Sequence, residues 1–128
     1  MCVRVFLADD AEVMRKAIRR LLSGREDITV VGEAANIRET IQKTAELHPD
    51  LIVLDAHLAF ETHTLPIEVK GLLNGAKVLA ISLSKDDETR EVAAGIGAVK
   101  LLDKMDLSDP LIPAILELGA MQSSQPAA

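Results

Sequence analysis

The chain has 128 residues, 48% of them apolar, a length that supports one domain with a real core and is too short for two. Its apolar content is almost entirely aliphatic, with two Phe and no Trp or Tyr, which excludes an aromatic stacking surface for single-stranded nucleic acid; a formal charge of −6 argues against direct DNA binding by this domain. Cys2, the single cysteine, permits no intrachain disulfide or thiolate metal cage, no apolar stretch nears the roughly 20 residues of a membrane span, and the N-terminus lacks a signal-peptide pattern, so a reducing, cytoplasmic location is expected.

VRVFLA opens the chain as an apolar strand run. From about Glu12 to Leu22, the residues Val13, Met14, Ala17, Ile18, Leu21 and Leu22 share one stripe opposite Arg15, Lys16, Arg19 and Arg20, which predicts an amphipathic helix stopped near Gly24. The basic stripe reads as a solvated face or as a docking face for a kinase or acidic partner. ITVVGEA follows as a β-branched strand. Asn36 with Glu39 three residues on has the form of a capping box, opening a helix through Ile37, Ile41 and Ala45 that Pro49 ends.

LIVLD is a short, continuous apolar run, the pattern of a central strand buried on both faces. AHLAFETHTLP, ending at Pro66, has no clear period, and Pro66 is placed at the first position of a helix reaching Asn74. KVLAISL is the fourth strand, SKDDE starts a helix that ends at Gly95, and AVKLL is the fifth strand. Ser108 or Asp109 is expected to cap the last helix. Pro110 fits its first turn, whereas Pro113, further in, is expected to distort it by deleting a backbone donor. Beyond Gly119, MQSSQPAA reads as a frayed tail or the start of a linker, so the domain is drawn over residues 1–119 and the tail over 120–128.

Five strand–helix repeats in alternation predict a parallel sheet with helices on both faces, a three-layer α/β/α domain. Ligands of such sheets bind at the carboxyl ends of the strands. Here those ends carry Asp9-Asp10, Asp55, Ser82 and, just beyond the fifth strand, Lys104, all residue types that handle a phosphoryl group and its magnesium. Singly, each has an ordinary alternative: Asp-Asp as a helix N-cap, Lys or Ser as a solvated surface residue. Together, in order and each at a strand end, they point to one pocket.

LADD, LIVLD, ISLS and GAVKLLDK, in this order and spacing, resemble the receiver domain of bacterial response regulators over nearly the whole chain, to about residue 118. The opening VRVFLADDAEVMRKAIRRLLSGREDITVVGEA, with HPDLIVLD, is most similar to receivers that precede a helix-turn-helix DNA-binding domain in two-component transcription regulators. The resemblance implies a flavodoxin-like, doubly wound five-stranded parallel sheet of strand order 2-1-3-4-5. It implies that Asp55 accepts a phosphoryl group from a sensor histidine kinase or phosphotransfer protein. Asp10 and Asp55 would bind Mg²⁺ directly and Asp9 through water, with the backbone carbonyl of His57 as the remaining protein ligand. Lys104 would contact a phosphoryl oxygen, and Ser82 would supply the switch hydroxyl. The output surface would lie on the fourth and fifth strand–helix units, read by a homodimer or a partner. No enzymatic activity is implied beyond slow loss of the chain's own phosphoryl group. Magnesium's preference for carboxylates and waters suits the three aspartates, and their crowding should raise at least one pKa.

Several residues depart from the family's pattern. Leu58-Ala59 and His63 replace the usual Met-Pro and later Gly after Asp55, and the short interval from Asp55 to Ser82 suggests a trimmed third helix or entry. Met105 follows Lys104 where many receivers have proline; Leu101 stands where an aromatic side chain usually swings inward; Leu83 is bulkier than usual and is expected to narrow access to Asp55 and slow turnover. His57 and Ser84 occupy positions that tune acyl phosphate hydrolysis, while solvated loop histidines or a transition-metal site are the other readings for His57 and His63. These departures keep a second function open, a pseudo-receiver that signals as an interaction module without phosphate. A third, a Mg²⁺-dependent phosphohydrolase with an Asp nucleophile, lacks the second acid two residues after Asp55, where His57 stands.

Overall fold

LIVLD forms a strand, Leu51–Asp55, buried along its whole length at the centre of a five-stranded parallel sheet, as a run covered on both faces should be. The computed structural model describes residues 2–61, 69–71, 73 and 75–122. In chain order the strands are β1 (Val3–Ala8), β2 (Ile28–Ala34), β3 (Leu51–Asp55), β4 (Lys77–Ser82) and β5 (Ala98–Asp103). Their spatial order is β2-β1-β3-β4-β5, as the resemblance implied. The helices are α1 (Glu12–Leu22), α2 (Ile37–Leu47), α3 (Ala56–Glu61), α4 (Asp87–Gly95) and α5 (Leu111–Gln122), and residues 69–71 are also helical.

Alternation along each strand divides the core between the two faces. Val5 and Leu7 of β1, Val53 of β3 and Ile81 of β4 pack with Ile18 and Leu22 of α1 and Leu111, Ile115 and Leu118 of α5. Phe6 of β1, Ile52 and Leu54 of β3 and Val78 of β4 pack with Ile37 of α2 and Leu58 of α3. Each fully buried large aliphatic stabilises the fold by about 1.5–3 kcal/mol, so the central strands are the most firmly held part of the sheet. Close approach of α5 depends on Gly119, where a Cβ would lie 2.4 Å from Val3 Cγ2.

The helix starts follow from local chemistry. Asn36 Oδ1 accepts the Glu39 N–H at 2.8 Å, and the Glu39 carboxylate accepts from the Asn36 side-chain amide at 3.0 Å, a variant of the capping box in which the return bond ends on the side chain. Helix α2 closes at His48 in the left-handed conformation, one residue before Pro49. Asp86 caps α4 through the Thr89 N–H at 2.8 Å.

Three expectations are corrected. The apolar stripe of α1 is narrower than predicted, because Val13, 81% exposed, and Ala17 face solvent while Ile18 and Leu22 are buried; Val13 lies in the first turn, level with the strand ends instead of against the sheet. The basic stripe is largely the solvated face expected, with Lys16, Arg19 and Arg20 exposed, but Arg15 is mostly buried and shares Glu33 with Arg19. Pro113 does not break α5: the helix starts at Leu111, where the Leu111 N–H donates to the Leu107 carbonyl and the Ala114 N–H to the Pro110 carbonyl, and a first-turn residue has no intrahelical donor bond to lose. The helix also continues to Gln122, so residues 120–122 are helical and not tail.

AHLAFE, which showed no period, forms α3 directly after β3 and buries Leu58 and Ala59. Six residues are too few to display a helical repeat in sequence. His63, the Pro66 helix start, Asn74 and the trimmed segment lie outside the described residues, apart from helical residues 69–71. Among the described residues no helix is long and apolar enough to cross a membrane.

Candidate functional site

Parallel register brings the candidate residues together. Ala8 pairs with Leu54, so Asp9 and Asp55 each stand one residue beyond neighbouring positions at the switch point between β1 and β3, where the chain winds away on both sides. Ser82 pairs with Asp103, which puts Lys104 beside the end of β4, and its N–H donates to the Ser82 carbonyl at 2.9 Å.

The Lys104 ammonium lies 2.8 Å from Asp9 Oδ2 and 3.1 Å from Asp55 Oδ2. Asp9 is 1% exposed and Asp55 3%, while Asp10 is solvent-exposed. Backbone donors hold the other oxygens: Ala11 N–H reaches Asp9 Oδ1 at 2.9 Å, and His57 N–H reaches Asp55 Oδ1 at 3.0 Å. Asp9 therefore spans the entry to α1 without capping it, since the cap position is Ala11 with no side-chain bond, and the N-cap alternative for Asp9-Asp10 falls away.

Electrostatics match this crowding. Burial raises the Asp9 pKa, with the Asp55 charge adding to it, against the opposing pull of Lys104 and the Ala11 N–H. The expected rise is thus present, but desolvation outweighs the mutual repulsion of the carboxylates as its cause. Burial alone would lower the Lys104 pKa; its contacts with Asp9 and Asp55 reverse that and raise it. Lys104 is the resident cation of the acidic corner.

Carboxylate oxygens of Asp9, Asp10 and Asp55 all come within 4.8 Å of one another. Asp9 Oδ2 is buried and accepts no aligned hydrogen bond among the described residues, its 2.8 Å approach to Lys104 being an ion-pair contact. A hard, oxygen-seeking dication fits this donor set. His57, expected to add its backbone carbonyl to these ligands, is the second residue of α3, two positions beyond Asp55.

The other half of the site is an open cavity of about 400 Å³, bounded by Asp10, Asp55, Ser82 and Lys104 and by Ala11, His57, Phe60, Leu83, Ser84 and Thr89. Ser82 Oγ accepts the Ser84 N–H at 3.1 Å. Leu83 is 71% exposed at the rim, and the His57 and Phe60 rings sit 6.4 Å apart. Leu101 is half-buried and lines a separate surface hollow together with Arg90 and Ala94 of α4.

Residues 5–115 match the response regulator receiver domain family. The chain belongs to that family. The receiver is 35% identical over 114 residues to the response regulator protein VraR of Staphylococcus aureus, covering 85% of this chain and 54% of that protein. It is 39% identical over 56 residues to a protein-glutamate methylesterase/protein-glutamine glutaminase of Methanosarcina acetivorans, covering 44% of this chain and 16% of that protein. The receiver thus spans about half, or much less, of the curated relatives it matches. Among solved structures, a LuxR-family two-component response regulator from Aurantimonas sp. SI85-9A1 superposes with a TM-score of 0.79 at 26% identity, covering 94% of this chain and 87% of that one. The signal receiver domain of NarL from Mycobacterium tuberculosis has the same fold, with a TM-score of 0.79 at 24% identity and coverage of 93% and 97%.

Asp9, Asp10, Asp55, Ser82 and Lys104, singled out in the sequence, all meet at this edge. Phe60 and Thr89 were missed. The spacing Asp86-x-x-Thr89 could have revealed Thr89, whose N–H the cap fixes; nothing in the sequence marks Phe60.

Proposed function

We propose that this receiver is a phosphoacceptor of two-component signalling, phosphorylated on Asp55 in a Mg²⁺-dependent reaction by a sensor histidine kinase or phosphotransfer protein in the cytoplasm. The observation that carries the reading is the buried Asp9–Lys104–Asp55 cluster, in which a carboxylate nucleophile and a cation share one open-sided pocket. Asp9, Asp10 and Asp55 would hold the Mg²⁺, which offsets charge on the phosphoryl oxygens when bound.

One carboxylate oxygen of Asp55 attacks phosphorus, the P–N bond to the donor imidazole breaks, and an acyl phosphate forms on Asp55. The Lys104 ammonium is within reach to transfer from the carboxylates to a phosphoryl oxygen, as a point charge that follows the new group. The phosphoryl group carries roughly −1.5 to −2 charges, enough to recruit a new donor. Ser82 supplies it. Its carbonyl is tied to Lys104, so the strand end stays fixed, and turning Oγ inward releases the Ser84 N–H; the loop beyond Ser82 is what moves. A partner or a second copy of the receiver would read that movement as a population shift. The domain itself would neither bind DNA nor act as an enzyme, apart from slow loss of its phosphoryl group.

The test is intact mass after incubation with acetyl phosphate, with and without Mg²⁺, on the native chain and on Asp55→Ala. A Mg²⁺-dependent phosphoryl adduct lost in the variant is expected. No adduct on the native chain would replace this reading with a pseudo-receiver, the state in which Lys104 permanently neutralises the corner.

A further inference from the structure

The acidic corner is braced by an ion-pair network that none of the site residues belongs to. The Asp9 peptide is held on both sides: its N–H donates to the Ala34 carbonyl at 3.1 Å, and its carbonyl accepts from Arg15 Nη1. Arg15 Nε in turn donates to Glu33 Oε1 at 2.8 Å, and Arg19 Nε holds the other Glu33 oxygen. Lys43 Nζ fixes the backbone of the same residue, donating to the Glu33 carbonyl at 2.9 Å. Glu33 pairs with Leu7 and Ala34 with Ala8, so Glu33 stands on the neighbouring strand two positions before Asp9. The Arg15 side chain is mostly buried, and although burial opposes it, the two guanidiniums lower the Glu33 pKa and keep its carboxylate charged.

We infer that Arg15, anchored by Glu33, is a positioning residue for the divalent-cation corner: it fixes the Asp9 peptide, and through it the directions of the Asp9 and Asp10 carboxylates. Arg15 bridges two oxygens that belong to different elements, one at the end of β1 and one on β2. A guanidinium does this with a rigid planar fork, whereas an ammonium presents one point of contact. Arg19 shares the Glu33 anchor but has no bond to Asp9, which makes it an internal control for loss of the ion pair alone. The inference rests on the receiver reading for its function, and the brace itself can be tested without metal.

The experiment compares Arg15→Gln, Arg15→Lys and Arg19→Gln in the full chain, each first shown to unfold cooperatively. Mg²⁺ affinity is measured by calorimetry, amide hydrogen exchange at residues 9–11 by NMR without metal, and phosphorylation by acetyl phosphate as a function of Mg²⁺. Partners behind a metal ligand typically alter affinity by 10–100-fold, so Arg15→Gln should weaken Mg²⁺ binding about tenfold. It should raise half-saturating Mg²⁺ to match, keep the rate at saturating Mg²⁺, and speed exchange of the Asp9 and Ala11 amides. Arg15→Lys should not rescue, and Arg19→Gln should behave as the native chain. Equal effects of the Arg15 and Arg19 variants, or native affinity in Arg15→Gln, would overturn the inference. If the native chain binds no Mg²⁺ and takes no phosphoryl group, the proposed function falls, while the exchange comparison still decides whether Arg15 fixes the corner.

Discussion

One side of the pocket is densely bonded and the other sparsely. At the corner, Asp9 and Asp55 are buried, each has one oxygen on a backbone N–H and the other on Lys104, and Arg15 closes the Asp9 peptide from behind. Along the opposite wall, Ser82, Leu83 and Ser84 offer hydroxyls and an exposed leucine, joined by one 3.1 Å bond from the Ser84 N–H to Ser82 Oγ. Charge explains the difference. Buried carboxylates are tolerated only where paired and hydrogen-bonded, so the corner must be over-determined, whereas neutral hydroxyls exchange partners at little cost. The proposed switch would use both: a fixed place for the charge to arrive, and a nearby donor loosely enough held to follow it.

Lys104→Met attacks this division hardest. It leaves two buried carboxylates facing each other, and removing one partner of a buried ionic cluster costs on the order of 3 kcal/mol. Urea unfolding without metal should show that loss, and Mg²⁺ should restore much of it by binding the folded state. The sign with pH is set by the raised Lys104 pKa: its stabilisation is complete below the ordinary lysine value of 10.5 and fades only as pH rises through the higher folded value. The difference between native and variant protein should therefore hold across neutral pH and shrink in strong alkali. An unchanged midpoint at pH 7 would mean that Lys104 is a bystander.

The strand ends on both sides were the most legible part in sequence. LADD, LIVLD and KVLAIS end on acids or a hydroxyl, and parallel register then dictates that Asp9, Asp55 and Ser82 meet. Caps at Asn36 and Asp86 signal their helices because the side chain itself satisfies an orphan N–H. What stayed hidden depends on three-dimensional neighbours. The Arg15–Glu33 brace joins residues 18 apart on different elements, and Arg15 read simply as one of four cations on a helix face. Helix α3 was missed because Leu58 and Ala59 turn inward only once β3 delivers them to the core.

Ser82→Ala tests the sparsely bonded side. With the Ser82 carbonyl still tied to Lys104, the substitution removes one partly buried acceptor, and stability should fall by no more than about 1 kcal/mol. Mg²⁺ affinity should not change, because Ser82 is no part of the acidic trio. The effect should be confined to the response: hydrogen exchange at residues 83–85 should differ between phosphorylated and unphosphorylated native protein and cease to differ in the variant. A variant whose loop still responds would place the moving donor elsewhere, with Thr89, buried at the cavity edge, as the next hydroxyl to remove.

Leu83→Ala is the mildest change and separates access from switching. A side chain 71% exposed has little burial to lose, so stability should stay within about 0.5 kcal/mol of the native value. Leu83 nevertheless lines the cavity through which the proposed phosphodonor would reach Asp55. Trimming it should raise the rate of phosphorylation by acetyl phosphate and of acyl phosphate hydrolysis together, since donor and water share that cavity, while the loop shift at saturation is unchanged. Faster phosphorylation with unchanged hydrolysis would show instead that Leu83 acts on the donor alone, and equal rates in both proteins would mean that the wall already stands open in front of the fixed corner.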